Sequence, residues 1–337
     1  MSSIVLRNIS VYAHGKKIVE NINASFPSAG LSIVIGPNGS GKTTVLKVVA
    51  GLIDYVGEVF INGSNARNVA SHSRGLSYVP QKNALSPALT VWKNIAIGLI
   101  DRGYTESQIR EKVENIADAL EIKHLLNRYP ATLSGGEARR VAIARALVVD
   151  ADIVLMDEPE LSVDAQSWGI IKESLLKLLK NGKTIVLATH NFEEFIAIVN
   201  RLCILHSGKS IYEGPPSELE TSSLPLSAKS WLGTTILVDD LKCSEYGPCE
   251  ALIDGYEFYA GPIKGAKTRK VLILPKYVNV SEKGPLRGKV VSVHKLGLSH
   301  YVALISYRDQ ELVLFTRKEV KPGMPVNFGI EKAIPLI

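Results

Sequence analysis

Residues 36–44 read GPNGSGKTT, and the fold turns on how this stretch is read. Gly36 is followed by four residues, Pro37, Asn38, Gly39 and Ser40, and then by Gly41, Lys42 and Thr43. That is the full pattern of a phosphate-cradling loop. LSIVI (31–35) before it predicts a strand, and TTVLKVVAG (43–51) after it predicts a helix that opens at Thr43 and Thr44 and stops at Gly51. Glycines let successive backbone N–H groups turn inward to an anion, and the helix N-terminus adds partial positive charge. Lys42 is expected to reach the β- and γ-phosphates of a nucleotide, with the Thr43 hydroxyl on Mg²⁺.

Phosphate chemistry of this kind needs an acid at the end of a neighbouring buried strand. ADIVLMDEP (151–159) supplies two, Asp157 to hold Mg²⁺ and Glu158 to orient and deprotonate an attacking water. A second glycine-rich stretch, LSGGE (133–137), leads into EARRVAIARALVV. Ser134 reads as a helix N-cap, Gly135 and Gly136 allow close approach, and Glu137 begins the helical run. The first loop already cradles the phosphates of its own chain. A second anion-directed helix start is therefore expected to close over the nucleotide of another copy, giving a head-to-tail dimer.

Taken together, GPNGSGKTT, YVPQ, LSGGE, IVLMDEP, SVD and ATH stand in the order and spacing of the ATP-binding subunits of ABC transporters, which the chain resembles over nearly two-thirds of its length. Lys42 to Gln81 spans 39 residues, Ser134 to Asp157 spans 23, and Glu158 to His190 spans 32. The resemblance implies ATP and Mg²⁺ as cofactors. It makes Gln81 the glutamine that senses Mg²⁺ and the γ-phosphate, His190 the histidine on the γ-phosphate, and Asp164 the aspartate at the dimer seam. It also implies that Tyr12 stacks on adenine, with His14 as a rival and plain strand packing as the alternative. PELSVDA (159–165) departs from the family's usual serine-alanine-leucine-aspartate, which bears on Asp164.

The remainder of the chain bounds the class. Its 337 residues suffice for two domains. No window approaches the roughly 18 uninterrupted apolar residues of a membrane span, and Arg7 and Asn8 come too early for a signal peptide. Cys203, Cys243 and Cys249 are too few for a disulfide framework and read as thiols, a local disulfide being the alternative. Net charge is +6, mild enough to read as a solvated surface.

Residues 1–219 alternate apolar β-rich runs with helical periods, as an α/β domain with a largely parallel sheet does. TESQIREKVENIADAL (105–120) carries a capping box at Thr105 and Gln108. Residues 220–230 form a polar, proline-bearing linker. From 231 to 337 the chain reads as strands broken by turns, a small all-β barrel or sandwich. LILPKYVNV, GKVVSVHKLG and VKPGMPVNFGI resemble the OB-like (TOBE) domain of importer ATPases, with Leu274-Pro275-Lys276 departing from it. The fold class expected is thus an α/β P-loop NTPase domain of ABC type, with antiparallel β and helical subdomains, followed by an OB-like domain.

That tail favours an importer over an exporter ATPase. The expected partners are transmembrane permease subunits, a second copy of the chain and, indirectly, an extracytoplasmic solute-binding receptor, with the chain at the cytoplasmic face of the membrane. The rival is a soluble ABC ATPase acting on nucleic acid. It would need a basic stripe among exposed aromatics, and the sequence offers only KTRK (267–270) near Tyr256, Phe258 and Tyr259. Nucleic acid is not expected as a partner. QKNALSPALTVW (81–92) is rich in apolar residues; Leu85, Leu89 and Trp92 read either as packing of the helical lobe or as a groove for a permease helix.

Overall fold

A computed structural model of the chain describes residues 2–100, 102–190, 192–195, 198–219, 221, 224–243, 248–262, 270–281, 283–296, 300–316 and 319–335. The chain divides into two compact units, Met1–Asn191 with Asn200–Glu213, and Phe192–Val199 with Gly214–Ile337.

The first unit opens with an antiparallel pair, β1 (Ser2–Ala13) and β2 (Lys16–Pro27). Alternation along them sends Ile4, Leu6, Ile9 and Val11, with Val19, Ile22 and Phe26, into one core. The two-residue period slips between Leu6 and Ile9, where Asn8 takes φ +52° and the register shifts, so that both halves of β1 still face inward. β3 (Leu31–Ile35) is buried along its whole length and leads through the glycine loop into α1 (Lys42–Ala50), which ends on left-handed Gly51. β4 (Val56–Ile61) and the short β5 (Ser64–Asn65) complete a four-stranded sheet of order β2-β1-β4-β5.

β6 (Leu76–Val79) precedes three helices that pack on one another, α2 (Val91–Ala96), α3 (Glu106–Ala119) and α4 (Gly135–Leu147). The capping box expected at Thr105 and Gln108 is present. A second one starts α4, where Ser134 and Glu137 satisfy each other's backbone N–H. β7 (Ile153–Asp157), α5 (Ala165–Lys180), β8 (Thr184–Thr189), β9 (Val199–His206) and β10 (Lys209–Gly214) follow.

The central sheet runs β10-β9-β3-β8-β7-β6. Its pairs β3–β8, β8–β7 and β7–β6 are parallel, and β3, β7 and β8 are buried at every residue. Uninterrupted apolar strands are what a parallel sheet covered on both faces demands. The order has a consequence for chemistry. The carboxyl ends of four neighbouring strands come to one edge, where open α/β sheets bind their ligands.

Among its described residues the second unit is all-β apart from one short helix and 3₁₀ turns. α6 (Leu226–Leu232) takes in the second half of the stretch read as linker and runs two residues beyond it. It forms because Ala228 and Leu232 are fully buried and the Lys229 ammonium reaches Glu311 at 2.5 Å. Seven residues behind Pro225 are too few to display a helical period. β11 (Thr234–Leu237), β12 (Asp240–Cys243), β13 (Pro248–Ile253), β14 (Tyr256–Pro262) and β15 (Lys270–Ile273) follow. β16 (Val278–Val280), β17 (Leu286–Leu296), β18 (His300–Tyr307), β19 (Gln310–Thr316), β20 (Pro325–Ile330) and β21 (Lys332–Pro335) complete the unit. They make two sheets, β11-β15-β21-β14-β13-β12 and β16-β20-β17-β18-β19, around a shared core.

Cys249 is disulfide-bonded and stands opposite Cys243 in the β12–β13 register. The thiol reading is therefore corrected: β12 and β13 pair antiparallel, so cysteines six residues apart become cross-strand neighbours. Cys203 remains a free thiol, pushed up to about 12 by burial.

Phe258 is buried and stacked on Tyr256, whose hydroxyl donates to Ile330 O, so two of the three aromatics considered for nucleic acid belong to packing. Lys267 to Arg269 of the basic run lie outside the described residues.

Phe328 is fully buried and meets the Tyr307 ring edge-on at 5.4 Å between centroids. Phe328→Ala is expected to destabilise the second unit by about 3–5 kcal/mol, read as a lowered denaturant midpoint. An unchanged midpoint contradicts this account of the core.

Candidate functional site

The carboxyl end of β3 enters the glycine loop, and β6 leads through Pro80 to Gln81. β7 ends on Asp157 with Glu158 next, and β8 ends on Thr189 with His190 next. Because β3, β8, β7 and β6 are neighbours, residues up to 154 positions apart in sequence meet. A cavity of about 540 Å³ forms there, lined by Asn38 to Thr44 with Ile18, Gln81, Glu158, Leu161 and His190.

Lys42 is nearly buried, its ammonium donating to Gly36 O at 2.8 Å and standing 3.2 Å from Glu158 Oε1. Pro37 O lies 3.4 Å from the same nitrogen. Gly41 has φ +104°, and a Cβ there would collide with Val19 Cγ1; both reasons require glycine. Gly36 is packed against Leu205 O and the Ser40 side chain in the same manner.

Asp157 is fully buried. Thr43 Oγ1 donates to its Oδ1 at 3.1 Å and Tyr78 Oη to its Oδ2 at 3.3 Å. Burial pushes the Asp157 carboxyl above its ordinary range, while the Thr43 bond pulls it back. Tyr78 is driven upward, mainly by burial, and so keeps its proton as a donor.

Glu158 takes φ +44°, a left-handed conformation that a non-glycine residue holds only when its surroundings fix it. Its N–H donates to Ala188 O at 2.8 Å, and Gln81 Nε2 donates to its Oε2 at 2.7 Å. Glu158, Gln81 and Lys42 thus form one linked group at the cavity wall.

What fixes that group is Arg139, a residue of α4 that no sequence motif singles out. It is 2% exposed, and its guanidinium donates to Pro80 O, Gln81 O, Asp157 O, Glu158 O and Pro159 O at 2.6 to 3.1 Å. One planar cation thereby ties the turn after β6 to the turn after β7. Burial lowers the Arg139 pKa, and surrounding acids, Glu160 first, oppose this. The only sequence signal was an arginine pair at a helical position facing inward.

The second glycine stretch lies elsewhere. Ser134, Gly135, Gly136 and Glu137 do not line the cavity. The backbone N–H of Ser134 holds the Glu137 carboxyl below its usual range. Gly136 packs against Asp164 Oδ2 and Ser167 Oγ, leaving no room for a larger residue without moving them. Asp164 caps α5, its Oδ1 accepting from Ser167 N at 2.9 Å, and those bonds hold its carboxyl low. Ser134 and Asp164 are therefore placed together, but away from their own chain's Lys42. Tyr12 is 56% exposed on β1, opposite Lys17, and is not among the residues lining the cavity, whereas Ile18 is. Leu85, Leu89 and Trp92 are half-buried around α2.

The residues present fit a nucleotide with Mg²⁺. Ser40 Oγ is buried in the loop with no partner among the described residues, and the loop residues themselves line the cavity. The Thr43 hydroxyl, the Asp157 carboxylate and the Gln81 amide oxygen are hard oxygen donors that leave most of a Mg²⁺ shell to phosphate and water. When bound, that cation would neutralise phosphate charge.

A family model described as "ABC transporter" matches residues 19–160. The molybdate/tungstate import ATP-binding protein WtpC of Pyrococcus abyssi is 32% identical over 269 residues, 79% of this chain and 78% of that protein. WtpC of Thermococcus kodakarensis is 38% identical over 62% of this chain, and the match spans 64% of its own length. Among solved structures, a dimeric ATP-binding cassette bound to ADP and Pi in a post-hydrolysis state is 28% identical. It covers 62% of this chain and 97% of that one, with a TM-score of 0.59.

Arg139→Met keeps much of the bulk but leaves five carbonyls short of a donor. The first unit is expected to lose about 3 kcal/mol or more and hydrolysis to fall with it, measured by denaturant unfolding beside ATP turnover. Unchanged stability contradicts the anchoring role.

Proposed function

Because this chain belongs to the ATP-binding proteins of ABC transporters, we propose that two copies, joined head to tail, hydrolyse MgATP to power solute import through a membrane permease. The observation that carries the reading is the convergence of Lys42, Gln81, Asp157, Glu158 and His190 on one edge of a parallel sheet. Lys42 binds the β- and γ-phosphates, and Thr43, Asp157 and Gln81 hold Mg²⁺. Glu158 orients and deprotonates the attacking water, the step for which a carboxylate held at the γ-phosphate is suited. His190 donates to the γ-phosphate oxygens. Tyr12 supplies the adenine platform.

The dimer reading draws on the separation within one chain of LSGGE and Asp164 from the loop at Lys42. It draws also on the dimeric cassette to which the chain is similar. Ser134, Gly135, Gly136 and Glu137 of one copy face the γ-phosphate held by the other, with Asp164 at the seam. Residues 1–219 form the ATPase domain and 231–337 an OB-like domain. In this reading the half-buried apolar stretch from Leu85 to Trp92 receives a cytoplasmic helix of the permease, and the protein works at the cytoplasmic face of the membrane. Among the described residues no helix is long and apolar enough to cross one. The names of the two WtpC relatives favour an oxyanion such as molybdate or tungstate as cargo, delivered by an external receptor.

Ser134→Arg is expected to lower ATPase activity about 100-fold or more while ATP binding to its own loop persists. Lys42→Ala is expected to weaken ATP binding itself. Mixing the two variants gathers both lesions in one composite site, leaves the other whole, and restores hydrolysis in a turnover assay. Wild-type turnover by Ser134→Arg alone contradicts the shared site.

A further inference from the structure

We propose that Glu160 is a positioning residue that sets the ring of His190 for the γ-phosphate. The inference rests on the role given to His190 above. Glu160 follows the Asp157-Glu158 pair by two residues, and its side chain is only 11% exposed. Its Oε1 accepts the hydroxyl of Thr189, the last residue of β8, and lies 3.6 Å from His190 Nδ1. Its Oε2 is buried and has no partner among the described residues. The Thr189 bond pins the carboxyl against the strand end from which His190 leaves. His190 itself is over half exposed and lines the cavity.

With Nδ1 turned to Glu160, Nε2 is the nitrogen left for the cavity. A histidine's free nitrogen takes its proton state from the bond its other nitrogen makes. A Glu160 carboxylate accepts from Nδ1–H of an imidazolium; a Glu160 carboxylic acid donates to Nδ1 of a neutral ring. In these two arrangements Nε2 carries the proton and is a donor, which is what a phosphate oxygen requires; the third, a carboxylate accepting from Nδ1–H of a neutral ring, leaves Nε2 a bare acceptor and is the one a bound anion disfavours. The 3.6 Å separation is an ion-pair distance. A small torsion of the exposed imidazole converts it to a hydrogen bond, as catalytic contacts tighten when substrate binds.

A structural role would look different. Glu160 also lies in the field of Arg139, yet Arg139 directs its N–H groups to carbonyls of the turns after β6 and β7. A mere counter-charge has no need of the Thr189 bond or of proximity to Nδ1.

The test is a double-mutant cycle on the purified full chain, with Glu160→Leu, His190→Ala and both together, reading kcat and KM for ATP. Glu160→Leu is expected to lower kcat about 10- to 100-fold, as loss of an orienting carboxylate does, with KM within about threefold. It is expected to cost nothing further in the His190→Ala background, because residues acting as a unit are non-additive. Glu160→Gln, whose amide still reaches Nδ1, recovers part of the loss. In ¹⁵N spectra with Mg²⁺ and a non-hydrolysable ATP analogue, His190, assigned against His190→Ala, shows a protonated Nε2 in the wild type. In Glu160→Leu it shows mixed tautomers. Wild-type kcat in Glu160→Leu, an equal loss with and without His190, or an unchanged tautomer signal overturns the inference. Full activity in His190→Ala overturns the reading of the site itself, and the inference with it.

Discussion

Arg139 is the constraint on which the rest of the site depends. Backbone carbonyls at strand ends have no partner in the sheet, and left buried each costs about 1–3 kcal/mol. Here five of them, from Pro80, Gln81, Asp157, Glu158 and Pro159, turn toward one guanidinium supplied by α4. The fork is planar and always charged, so it fixes both turns in one geometry where a lysine would fix a point. The helix that carries it begins at Ser134. The helix start that the proposal directs at a second copy and the arginine that frames the chain's own acids therefore belong to one helix. In the proposed dimer, that helix would carry closure to Glu158.

Around this anchor the charges are arranged to be held ready. Asp157 is buried with two hydroxyl donors on it, Glu158 sits in a left-handed conformation, and Lys42 bridges the glycine loop to Glu158. Strain of that kind persists because neighbours over-determine it. The hydrogen bond from Gln81 to Glu158 links the end of β6 to the same acid. Preorganised charge that need not rearrange during reaction is the largest contribution an enzyme makes to phosphoryl transfer.

Much of this was legible in the sequence because the chemistry is local. The loop 36–44 needs its glycines at fixed positions, the strand 153–157 needs to be wholly apolar before its acid, and the capping boxes at 105 and 134 need fixed spacing. Arg139 and Glu160 were illegible because their partners are backbone carbonyls and a hydroxyl from strands distant in sequence. A side chain bound to carbonyls leaves no complementary residue to find. The helix Leu226–Leu232 escaped notice because seven residues cannot show a period. The pairing of Cys249 depends on a hairpin register that residue counting does not reveal.

The central claim is that Glu158, held by Gln81 and by the turn that Arg139 anchors, activates water at the γ-phosphate. The most direct measurement is the oligomeric state and ATP turnover of Glu158→Gln at saturating MgATP. The change preserves shape and removes a base and a negative charge. The account predicts a persistent ATP-bound dimer on size-exclusion chromatography and turnover reduced to near zero. A monomeric variant turning over ATP at close to the wild-type rate would contradict it.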